Sequence, residues 1–166
     1  MVLSLMALAI VDLADAEDVR RASPQMNFVQ YALGQFTRDE FIARIGRGAL
    51  EPIIWMNKHL PQDAKVLYVG EARVYYAKNP VLWSTAFDQH PLAAMSKEST
   101  STEDLLVRLR AHGVTHVYVN QSELARLRNG YRYMSDAKWN LIDDLLQNHA
   151  QSIHTSGSRI VYALTS

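Results

Sequence analysis

The chain has 166 residues, 48% of them hydrophobic, with 17 Lys and Arg set against 17 Asp and Glu. That length supports a real hydrophobic core, and a formal charge of zero excludes a long-range basic field of the kind that draws nucleic acid or anionic lipid. With no cysteine, disulfides, thiolate metal sites and cysteine nucleophiles are excluded, while oxidising and reducing compartments both remain open.

The chain begins with an apolar run, VLSLMALAIV at residues 2–11. A membrane-spanning helix needs about 20 such residues, so this run cannot cross a bilayer alone. Three readings stay open. It is the core of a signal peptide with Ala14-Asp15-Ala16 as a loose cleavage site, a packed helix, or the last turns of a membrane helix. Acidic Asp12, Asp15, Glu17 and Asp18 follow, then Arg20 and Arg21. Residues 1–18 are therefore read as an apolar N-terminal segment or the end of a membrane helix. Residues 19–36, with Pro24 and Gly34, read as a linker. Residues 37–166 read as a soluble α/β domain.

Thr37 and Glu40 form a capping box, since hydroxyl and carboxylate can satisfy each other's orphan N–H groups. The helix they open places Phe41, Ile42 and Ile45 on one face and ends at Gly46 and Gly48. Glu51-Pro52 starts a second helix, stopped by Leu60-Pro61. Residues 65–70, KVLYVG, are an unbroken apolar run, the pattern of a strand covered on both faces. Val74-Tyr75-Tyr76 and Val81-Leu82-Trp83 are shorter strand candidates, and residues 96–102 read as a Ser/Thr-rich loop. A helix from Thr102 to His112, capped by Gly113, leads to a strand over Val114–Val119. A short helix at 122–127 precedes a longer one at 136–149, whose inner face carries Trp139, Ile142, Leu145, Leu146 and His149. The chain closes in a hairpin around Ser156-Gly157-Ser158. Strands alternating with helices imply a three-layer α/β fold with a mostly parallel, Rossmann-like sheet and a C-terminal antiparallel hairpin.

Ligands of open α/β sheets sit beyond the carboxyl ends of the strands. Glu71 and Arg73 follow the first secure strand, and Asn120 follows the second. Asp88 and His90 lie in the intervening loop. These five are the candidate ligand-binding residues, against the plainer reading that they cap loops and pair locally. No catalytic residue is assigned. No cofactor is expected, because a dinucleotide fingerprint, a P-loop and a G-x-S-x-G elbow are all absent from the sequence. The six histidines show no metal-ligand spacing, so no metal is expected. Tyr75, Tyr76, Tyr118, Tyr131 and Tyr133, with Trp55, Trp83 and Trp139, read as packing before they read as a sugar-stacking or partner surface.

A resemblance extends this reading. Its blocks are Trp55-Met56-Asn57 with Leu60-Pro61, residues 63–73, Tyr76 with Asn79-Pro80-Val81, and Phe87-Asp88. They continue with Leu109 through Gly113 to Asn120, Glu123-Leu124, and residues 161–164. In that order they resemble the soluble C-terminal region of bacterial multi-spanning glycosyltransferases of the GT-C, protein-mannosyltransferase-like type. The resemblance covers the chain from Thr37 onward. It implies a periplasmic domain attached to a transmembrane portion of the same polypeptide, whose enzyme transfers sugar from a polyprenyl-phosphate donor. A glycan or lipid-linked sugar is then the partner candidate. Catalysis in that family belongs to an early loop between membrane helices, so no catalytic residue carries over. The residues alone leave a second possibility open, a free-standing sugar- or phosphate-binding module or small enzyme.

Overall fold

The computed structural model describes residues 28–46, 48–85, 88–131 and 134–165. The expected apolar segment at 1–18, and the linker as far as residue 27, lie outside the described residues. The chain divides into two compact units at Leu50/Glu51.

In the first unit, α1 spans Phe28–Ala32 and α2 spans Arg38–Ile45. The capping box of α2 is formed, with the Thr37 backbone N–H donating to Glu40 Oε2 at 2.8 Å. Tyr31 stacks on Phe41 with ring centroids 4.4 Å apart, and Ile42, Ala49 and Leu50 are buried.

The second unit begins with α3, Glu51–His59, and continues into β1, Lys65–Val69. A 3₁₀ turn at Val74–Tyr76 leads to β2, Val81–Leu82. Then come α4, Pro91–Glu98, and α5, Thr102–Ala111. After β3, Val114–Asn120, follow α6, Gln121–Tyr131, and α7, Asp136–Asn148. The hairpin β4, Ala150–Ser156, and β5, Arg159–Leu164, ends the fold, with Gly157 at φ 58 in its turn.

The five strands lie in the order β2-β1-β3-β5-β4. β1 pairs in parallel with β2 and β3, while β5 joins β3, and β4 joins β5, antiparallel. Because strand side chains alternate between faces, Leu67 and Val69 with Val117 and Val119 look to one side. There they pack with Leu92, Leu105, Leu109, Trp139, Ile142 and Leu145 from α4, α5 and α7. Val66, Tyr68, Tyr118 and Val161 occupy the alternate register positions and are equally buried. Helix α3 covers that second face. Its Trp55 lies against His154 of β4 at 4.4 Å and 8°, and against His59 at 4.6 Å and 15°. The result is the expected three-layer α/β fold, with a parallel core and an antiparallel C-terminal hairpin.

Two local expectations need correction. Val74–Tyr76 is not a strand. The Ala77 N–H donates to the Val74 carbonyl at 2.9 Å, which closes a 3₁₀ turn. Asn57 holds the segment there, donating to the Tyr76 carbonyl and accepting from the Lys78 N–H, each at 2.8 Å. Those are backbone groups that a strand ladder would need. Residues 96–98 are not loop either but the last turn of α4. The buried Ser96 hydroxyl donates to the Leu92 carbonyl at 2.6 Å, so this serine faces its own helix rather than water.

Candidate functional site

The chain leaves β1 for β2 on one side and returns past β1 to β3 on the other. The strand order therefore reverses between β1 and β3, the place where open α/β sheets form a crevice at their carboxyl ends. A cavity of about 780 Å³ occupies that position. Its floor is the turn Gly70–Arg73 after β1 with Asn120 at the end of β3. His90, Ala93 and Lys97 form one wall, at the head of α4 and along one of its faces. Glu123, Arg126 and Leu127 of α6 form the other. At i, i+3 or i+4, and i+7 such residues share a helical face.

Gly70 makes the floor possible. Its φ of 73° is left-handed, and a Cβ there would stand 3.1 Å from both the Asn120 carbonyl oxygen and the Glu123 Cβ. Only glycine accepts that conformation without strain while letting the first turn of α6 approach the β1 turn so closely.

The crevice brings Glu71, Arg73, Asp88, His90 and Asn120 together. Each also has a local partner. Arg73 grips Glu71 with Nε on Oε1 at 2.7 Å and Nη2 on Oε2 at 2.6 Å, and its backbone N–H donates to Oε1 at 3.0 Å. The Glu71 side chain is only 4% exposed. Burial alone would push its carboxyl up, but the charged bonds from Arg73 outweigh burial and hold it below the usual carboxylate range. Asp88 accepts from the Thr85 hydroxyl at 2.6 Å, which lowers its pKa in the same sense. Asn120 Oδ1 receives the Glu123 N–H at 3.4 Å.

His90 is engaged at both ring nitrogens. Nδ1 accepts the Leu92 N–H at 3.1 Å, which caps α4, and Nε2 bonds the Tyr68 carbonyl at 2.9 Å. A carbonyl only accepts, so Nε2 carries the proton and the ring is the neutral tautomer. Burial lowers its pKa, partly opposed by the Tyr68 bond. Beneath the floor, burial pushes the Tyr68 and Tyr118 phenols upward. The Tyr118 hydroxyl and Arg159 Nε are both buried, and Arg159 partly offsets the upward push on the Tyr118 phenol.

No family model matches the sequence. No curated protein matches it either. Among solved structures, one similar chain is the C-terminal globular domain of an oligosaccharyltransferase from Archaeoglobus fulgidus. The two share 18% identity over 78% of this chain and 99% of that one, with a TM-score of 0.48. At that level the likeness fixes neither activity nor partner.

Sequence reasoning did not single out Lys97, Glu123 or Arg126 as lining residues. Lys97 stands on a helix that the Ser/Thr-rich composition concealed. The signal that could have revealed it is Pro91 at a helix's first position after His90, followed by Ala93 and Lys97 in helical spacing. Among the described residues no group of three or more His, Asp or Glu could hold a metal ion. No helix among them is long and apolar enough to cross a membrane.

Proposed function

We propose that this chain is an accessory extracytoplasmic domain of a membrane glycosyltransferase that uses a polyprenyl-phosphate sugar donor. In this reading it binds a polar part of the glycan or the lipid-linked sugar and performs no transfer by itself. The observation that carries the reading is the engagement of the crevice's proton-transfer candidates. Both Glu71 oxygens are held by Arg73 and both His90 nitrogens by backbone groups, while Asp88, bonded to Thr85 through Oδ2 alone, is held below the usual carboxylate range and so is a weak base. A general base needs a free lone pair within reach of a substrate proton and a pKa near the working pH. These groups instead shape and stiffen a polar cleft. The ordered sequence blocks support the attachment to a glycosyltransferase, since those at residues 63–73 and 113–120 supply the two strands that carry the floor of this cleft.

The test compares this chain with the polypeptide encoded by its complete reading frame. Incubated with a polyprenyl-phosphate sugar and an acceptor, the isolated chain should transfer nothing. The complete polypeptide should transfer sugar, and removing residues 51–166 should reduce that. Transfer by the isolated chain, or a reading frame encoding no hydrophobic spans ahead of Met1, would overturn the proposal.

The cavity volume favours a second reading, a free-standing small-ligand module. About 780 Å³ falls within the roughly 300–1,000 Å³ typical of small-molecule sites. A reading frame that encodes no membrane spans would select it.

A further inference from the structure

We infer that the crevice is a binding site for a sugar phosphate, with the phosphate held by Lys97 and the outward edge of Arg73. Several charges of the crevice already have partners. Both Glu71 oxygens are taken by Arg73, and Arg126 pairs with Glu123 through Nε at 2.8 Å. Lys97 lines the same cavity, is exposed, and forms no hydrogen bond or ion pair with any described residue. Arg73 uses only Nε, Nη2 and its backbone N–H on Glu71. Its Nη1 is left over on a side chain 52% exposed. The crevice therefore holds an ammonium and one face of a guanidinium as unused charged donors, the two groups that bind phosphate best as point charge and as fork.

The remaining polar groups suit hydroxyls. Asp88 and Asn120 line the cavity as acceptors, and Gln89 and Ser84 offer both donor and acceptor atoms. The Asp88 carboxylate stands at the exposed rim, where water screens its repulsion of an anion. A ligand with an anionic end and a hydroxyl-rich end satisfies both sets of groups. Inorganic phosphate would leave the acceptors unmatched, and a neutral sugar would leave the cations unmatched.

The probe is glucose 1-phosphate, titrated calorimetrically into the full chain alongside glucose and inorganic phosphate. Glucose 1-phosphate is expected to bind with Kd below about 1 mM, and each half-ligand at least about tenfold more weakly. Lys97→Met should weaken glucose 1-phosphate about tenfold or more, since a hydrogen bond to a charged group is lost. It should leave the ligand-free Tm unchanged, because Lys97 has no partner to lose among the described residues, and Lys97→Arg should keep most of the affinity. Undetectable binding of glucose 1-phosphate, equal binding of either half-ligand, or a Lys97→Met chain that binds like the parent overturns the inference. These outcomes are independent of whether membrane spans precede the domain, so this inference and the glycosyltransferase assignment can fail separately.

Discussion

His90 links stability to pH because its ring is buried and the bond that Nδ1 accepts from the Leu92 N–H requires the neutral form. Its pKa in the folded chain lies below the ordinary 6.5, and burial lowers that of His116 as well. Below pH 6.5 the unfolded chain takes up protons that the folded chain refuses, so stability falls with pH until the folded-state pKa values are passed. Above pH 6.5 these two histidines contribute no slope. Chemical denaturation between pH 7.5 and about pH 5 should show this loss. His90→Asn should reduce the slope, since Asn can cap the Leu92 N–H without titrating, while His116 keeps the remainder. An unchanged slope in that variant would show that His90 does not carry the effect. The carboxylates act further down. Glu71 is stabilised as an anion, so its contribution is present above its ordinary pKa of 4.5 and disappears in more acidic solution.

At the scale of elements, the caps differ in ways that composition does not show. Ser101 and Ser135 both stand at helix N-caps. The Ser101 hydroxyl accepts the Asp104 N–H at 3.2 Å, whereas the Ser135 side chain makes no capping bond. Ser101→Ala is therefore expected to cost about 1 kcal/mol, and Ser135→Ala a few tenths at most. Paired urea titrations would check the difference, and equal losses would contradict it. The strongly patterned elements were legible in sequence for the same local reasons. The Thr37 capping box, the apolar runs of β1 and β3, and the inner face of α7 depend on residues within a few positions of one another. Helix α4 was not legible, because its cap is a histidine ring and its one serine, Ser96, bonds inward to its own turn. The turn at Val74–Tyr76 was misread because Asn57, from another element, takes up its backbone groups.

Across the second unit, one apolar cluster joins α4, α5 and α7 to the sheet. Leu145 lies at its centre with no exposed surface, so Leu145→Ala should cost roughly 2–5 kcal/mol through lost burial and a residual cavity. Far-UV circular dichroism and tryptophan fluorescence, which includes the buried Trp139, should report coincident transitions in parent and variant. Separate transitions would mean that the cluster is not one cooperative core.

The sequence alone determined the α/β class, the two central strands, most helix boundaries, the closing hairpin and the five crevice candidates. Each of these rests on short-range periodicity, turn chemistry or the rule that ligands gather at strand ends. Only the tertiary structure decided the order β2-β1-β3-β5-β4. That order sets Gly70 against Asn120 and places α4 and α6 on either side of the crevice. It depends on pairing between strands about fifty residues apart, as Val66 with His116, which no local pattern specifies. The tertiary structure also shows which charges of the crevice are already paired, Glu71 with Arg73 and Glu123 with Arg126.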